Sequence, residues 1–170
     1  MKRLLLAAAV TLLTATSAMA QVVVLVRHAE KADQSADPIL SDAGQVRAAA
    51  LREAAEFDFD EILVTPLQRT QLTAAPSAAV SHVTPTVIPL DGGLSAHVEA
   101  VVARVRALPP TAKVLVVGHS NTIPVIVRAL GGTSADMPDC EYDRLTIVVL
   151  GDGATAVSSQ RHYGAPSTCD

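Results

Sequence analysis

The chain has 170 residues, with 13 Lys and Arg against 17 Asp and Glu, a formal net charge of −4 and two cysteines. That length suits one domain with a proper core, and the acidic balance argues against nucleic acid as a general partner. It leaves room for a small phosphorylated substrate, which needs only local positive charge.

Residues 1–20 read as a secretory leader. Met1-Lys2-Arg3 is positive, residues 4–13 form a short apolar run, and Ala18-Met19-Ala20 has the A-x-A form of a cleavage site. The expectation is export, to the periplasm or the medium, and a mature domain over residues 21–170. No later stretch is long and apolar enough to cross a membrane, so no stable insertion is expected once the leader is removed.

The valine-rich residues 22–26 predict a strand buried on both faces, ending on Arg27 and His28. A polar loop over 31–38 leads to Ser41, an N-cap for a helix whose apolar stripe is Val46, Ala50, Ala54 and Phe57. Residues 61–65 predict a second strand, followed by a helical segment that Pro76 should kink or split. A third strand is expected over 84–90, broken by Gly92-Gly93. Ser95 can cap a helix with Val98, Val101, Val102 and Val105 as its buried stripe, ended by Pro109-Pro110. Residues 113–117 predict a fourth buried strand, and a helix from about Ser120 to Leu130 stops at Gly131-Gly132. Residues 145–150 and 154–159, around Gly151-Asp152-Gly153, read as a hairpin.

Strands alternating with helices imply a three-layer α/β/α sandwich on a mostly parallel sheet. In such sheets ligands bind beyond the carboxyl ends of the strands. Those ends carry Arg27-His28, Thr65-Pro66 with Arg69 just after, Leu90-Asp91, and Gly118-His119. Two arginines and two histidines without a cysteine cluster suit a phosphoryl group better than a metal. Guanidiniums take non-bridging oxygens in forked pairs, and a neutral imidazole can attack phosphorus. A helix opening at Ser120 would add N-terminal amides, with Ser120 and Asn121 touching the anion. The rim is expected from the 32–40 loop and from residues 92–97.

The motifs "VRHAEK", "TPLQRTQLTA" and "VVGHSNT", in that order, resemble the histidine phosphatase superfamily with its phosphoglycerate mutase-like fold. The resemblance implies a phosphohistidine enzyme without cofactor or metal. His28 would be the nucleophile, Arg27 and Arg69 would bind phosphate, and His119 would stabilise the transferred group. Glu30 matches the glutamate of the family's Arg-His-Gly-Glu motif, with Ala29 in place of the glycine, and is assigned to substrate binding. Such enzymes draw the leaving-group proton from a carboxylic acid between the second arginine and the second histidine. Asp91 is the choice here, with Glu99 and His97 as alternatives. The main expectation is an exported phosphatase acting on phosphomonoesters.

The alternatives are a mutase-like phosphotransferase, a non-catalytic phosphate-binding protein, and a serine hydrolase using Ser120 with Asp143 and His162. The last is suggested by "GHSNT", which approaches G-x-S-x-G but has Thr122 in place of the final glycine. The H-x-E in "HAE" mimics zinc deaminases but lacks their P-C-x-x-C partner. His82, His97 and His162 read as surface or structural histidines. "CEYDRL" at 140–145 is assigned no chemistry beyond an ion pair of Arg144 with a nearby acid. For Cys140 and Cys169 two readings stay open: a disulfide pinning the C-terminal tail, or two unpaired thiols.

Overall fold

The computed structural model describes residues 20–151 and 156–169. Within them the chain runs β1 (Gln21–Arg27), α1 (Asp42–Ala55), β2 (Glu61–Val64), α2 (Gln68–Ser81), β3 (Thr86–Val87), α3 (Gly93–Arg106), β4 (Lys113–Gly118), α4 (Ile123–Ala129), β5 (Arg144–Leu150) and β6 (Ala156–His162). The expected leader lies outside the described residues except for Ala20, as do residues 152–155, on which part of the expected hairpin falls. The sheet order is β3-β2-β4-β1-β5-β6. The first four are mutually parallel, while β5 runs antiparallel to β1, and β6 to β5. This is the mixed α/β sandwich expected.

Strand alternation sorts the core into two layers. Val23 and Leu25 of β1 join Val114 and Val116 of β4, packed against Val98, Val101 and Val105 of α3 and Ile126 of α4. Val24 and Val26 point the other way, with Leu115 and Val117, onto Leu51 and Ala55 of α1 and Ala74 and Ala78 of α2. A strand with both faces covered must be apolar at every position, which is why β1 reads as an unbroken valine-leucine run until it reaches the site.

Several elements differ from the expectation. Ser41 does cap α1, accepting from Gly44 N at 3.1 Å. Of the expected stripe, Ala50, Ala54 and Phe57 are half-buried against the core, but the most buried face is Gly44, Arg47, Ala48, Leu51 and Ala55, and Val46 is 70% exposed. The helix turns this way because Gly44 sits against the backbone of Glu30: a Cβ there would lie 2.3 Å from Glu30 O. Arg47 beside it is then drawn inward to the Glu30 carboxylate. Phe57 lies past the helix end, where Glu56 adopts a left-handed conformation. Pro76 does not split α2, which runs continuously through it. Strand β3 is only two residues long, on the sheet edge. Ser95 lies inside α3, whose N-cap is Gly92. Helix α4 starts three residues later than expected, leaving Ser120 and Asn121 in a turn.

Cys140 and Cys169 form a disulfide. Together with Ser167, which bonds the amides of Tyr142 and Asp143 and the Asp143 carboxylate, it ties the C-terminal tail to the loop ahead of β5. Closing a loop of that length stabilises a chain by roughly 3 kcal/mol in the entropic account.

Candidate active site

The site lies beyond the carboxyl ends of β1 and β4, which stand side by side with Arg27 opposite Gly118. The backbone N–H of His28 donates to Gly118 O at 2.9 Å, so the residues leaving both strands start from one fixed point. After Gly118 the chain turns tightly. Thr122 Oγ1 accepts from His119 N, and the amides of Thr122 and Ile123 both donate to His119 O. A side chain at Gly118 would fall 2.7 Å from Thr122 Oγ1, so the turn needs glycine there for close approach. Because two of its amides are spent on His119 O, the short α4 does not offer the free amide cluster expected of a helix opening at Ser120.

The two imidazoles meet edge to face, with ring centroids 5.4 Å apart. His28 Nδ1 is 2.7 Å from Ala29 O. A carbonyl only accepts, so Nδ1 carries the proton and Nε2 keeps its lone pair. Burial first, then the positive charge of Arg27 and the neighbouring His119, lowers the His28 pKa to about 3. His119, beside Thr65 Oγ1 at 3.2 Å, is lowered to about 4 by burial and by Arg69.

Arg27 is 4% exposed. Its Nη1 donates to the carbonyls of Pro138, Asp139 and Glu141, and the Tyr142 ring lies 4.2 Å from its Cζ. Burial lowers its pKa, against the opposing pull of Tyr142 and Asp139. Arg69, in the first turn of α2, reaches only Ala36 O at 3.5 Å and Asp37 at 4.0 Å. The Nε atoms of both arginines are buried with no hydrogen-bond partner among the described residues. Buried donors are seldom left unsatisfied, and both arginines line one cavity, so its wall carries two cations with hydrogen-bonding capacity to spare for an anion. The cavity holds about 750 Å³ and is also lined by His28, His119, Ser120 and Asn121.

A sequence model of the histidine phosphatase superfamily (branch 1) matches residues 23–90, which carry Arg27, His28 and Arg69. The match spans less than half of the chain, so what it shows is that residues 23–90 resemble this superfamily. The chain's histidine phosphatase fold is shared with solved structures. The protein histidine phosphatase SixA complexed with tungstate superposes with a TM-score of 0.63 at 17% identity, over 83% of this chain and 96% of that one. A mycobacterial glucosyl-3-phosphoglycerate phosphatase gives 0.61 at 14% identity, over 86% and 99%. A structure described as mycobacterial hydrolase 1 gives 0.63 at 14% identity, over 87% and 100%. No curated protein matches the chain at a significant level.

Within this histidine phosphatase fold, Arg27, His28, Arg69, His119, Ser120 and Asn121 gather at one cavity, whereas Glu30 and Asp91 do not line it. Glu30 turns away to a forked ion pair with buried Arg47, at 2.7 and 2.9 Å, and Arg47 donates onward to Tyr163 O. Its place is therefore in bracing the loop behind His28, not on substrate. Asp91 is exposed in the turn that opens α3, where its neighbours Leu90, Gly93 and Leu94 form the rim instead. Gln34 from the expected rim loop lines the cavity too. Two residues without an assigned role, Asp139 and Tyr142, form the opposite wall. The signal for them was the hairpin: β5 runs antiparallel to β1, with Leu145 opposite Val26, so the segment entering β5 must arrive where β1 ends.

His97 is buried, with Nδ1 on Pro89 O at 2.9 Å, as a structural histidine would be. The serine-hydrolase triad does not assemble. Ser120 Oγ donates to Asp139 at 2.6 Å, and Asp143 pairs with an exposed His162 outside the cavity lining. Arg144 does pair with a nearby acid, Glu141.

Proposed function

We propose that this chain is an exported, metal-independent phosphatase that passes the phosphoryl group of a phosphomonoester to His28 and then to water. The observation that carries the reading is an unprotonated imidazole Nε2 at a cavity lined by two arginines whose buried Nε–H groups are unpaired among the described residues. Arg27 and Arg69 fork onto the non-bridging oxygens. His28 Nε2 attacks phosphorus in line, and His119 faces the charge that spreads over the equatorial oxygens. Each donor already in place contributes on the order of 3 kcal/mol to lowering the barrier. Arginines meet that charge, so the scheme needs no metal ion. Among the described residues no three His, Cys, Asp or Glu side chains cluster as ligands.

SixA, described as a protein histidine phosphatase and solved with the tetrahedral oxyanion tungstate, supports a terminal phosphoryl as the group recognised here. The leader-like residues 1–20 and the Cys140–Cys169 bridge both support export to an oxidising compartment. The test is turnover of a phosphomonoester panel by the mature protein. Full activity in excess chelator is expected, and loss of activity on chelation defeats the metal-independent scheme.

The pH profile gives a separate check. The His28 pKa lies below the ordinary imidazole value, so the nucleophile stays neutral until the pH falls toward about 3. The acid limb of kcat/KM, which reports the free enzyme, should therefore lie toward about pH 3 and not near 6.5. A limb centred at 6.5 would show that His28 titrates as if solvated.

A further inference from the structure

Asp139 is the one carboxyl among the described residues lining the cavity. Its Oδ1 accepts from Ser120 Oγ at 2.6 Å and lies 3.7 Å from Arg27 Nη2. Its own carbonyl is fixed by Arg27 Nη1, and the next residue is tethered by the disulfide. Apart from these contacts the side chain is 91% exposed to solvent. The charged and titratable groups facing it are Arg27, Lys31 and His28.

With no substrate, the Ser120 hydroxyl first and Arg27 second hold this carboxyl ionised, below its ordinary range. Those same two donors are what an arriving phosphoryl dianion would take. The dianion then withdraws the support of Asp139 and places like charge beside it, and both effects raise its proton affinity. Binding thus draws a proton from solvent water onto a resting anion and leaves an acid at the mouth of the phosphoryl site.

We propose that Asp139 is a catalytic residue that protonates the departing alkoxide. The inference rests on the phosphohistidine reading above. In the first half, the Nε2–P bond forms and the bridging P–O bond breaks. The leaving oxygen takes the Asp139 proton, giving a neutral alcohol, a phosphohistidine and a carboxylate. In the second half, that carboxylate takes a proton from water as the water oxygen attacks phosphorus and the N–P bond breaks; once inorganic phosphate leaves, Ser120 and Arg27 turn back to Asp139 and its proton returns to solvent. The acid comes from the loop ahead of β5, after His119 in the chain, and not from the interval before it where Asp91 was expected.

The experiment compares wild type, Asp139→Asn and Asp91→Asn on an alkyl phosphate and on p-nitrophenyl phosphate, whose leaving group needs no proton. Asp139→Asn should lose about 100-fold in kcat on the alkyl ester and stay within about 3-fold on the aryl ester. Inorganic phosphate should still inhibit it at least as well as it does wild type, showing that the fold and anion site persist. Asp139→Glu should recover part of the alkyl activity. Equal retention on both esters, equal loss on both, or selective loss in Asp91→Asn would each overturn the assignment. These outcomes differ from failure of the underlying reading, in which His28→Ala would match wild type, and the Asp139 role would fall with it.

Discussion

His28→Ala is expected to lower kcat by about 10⁴-fold or more on every phosphomonoester, including those with good leaving groups. No other described group at the cavity can replace it. His119 Nε2 is engaged with Thr65 Oγ1, and Ser120 Oγ donates to Asp139. An alanine removes the lone pair but leaves Arg27, Arg69 and His119 in place. Inorganic phosphate should therefore still bind, measurable by calorimetry, while acid-labile labelling from a radiolabelled substrate disappears. The effect on stability should be small, because the wild-type fold already bears the desolvation cost that lowers this imidazole's pKa to about 3. Activity surviving in His28→Ala would end the phosphohistidine scheme outright.

The parts of this site that were legible in the sequence are those built by local rules. A valine run covered on both faces has to be a central strand, and the first polar residues after it have to emerge at the sheet edge, which placed Arg27 and His28. The same reasoning placed His119 after β4. What was not legible depends on contacts between distant segments. The stripe of α1 is centred on Arg47, Ala48 and Leu51, with Ala50 and Ala54 only at its edge, because Gly44 docks on Glu30, a pairing that no helical period records. Glu30 looked like a ligand by its motif, yet it faces Arg47. Asp139 and Tyr142 come into the cavity through the antiparallel pairing of β5 with β1 and through a bridge to Cys169. Their position is a property of topology, not of local pattern.

The two arginines should separate cleanly when each is removed, although both are assigned the same task. Arg27→Ala strips a donor from three carbonyls of the 138–141 segment and the cationic partner from the Tyr142 ring. Orphaned buried acceptors cost about 1–3 kcal/mol each. Water entering from the cavity will offset part of this, so a net destabilisation of about 2–4 kcal/mol is expected. With the loop loosened and a phosphate donor gone, kcat/KM should fall by about 10³-fold or more. Arg69→Ala removes only long contacts to Ala36 O and Asp37, worth about 0–1 kcal/mol. Its kcat/KM should still fall by about 10²- to 10³-fold, with the urea midpoint almost unchanged. Arg27→Lys should not rescue, because one ammonium on a flexible stem cannot hold the loop carbonyls and also fork onto an oxyanion. Urea unfolding and steady-state kinetics on the same preparations decide the matter. If Arg69→Ala unfolds easily while Arg27→Ala does not, the division between a guanidinium built into the wall and one reserved for substrate is wrong.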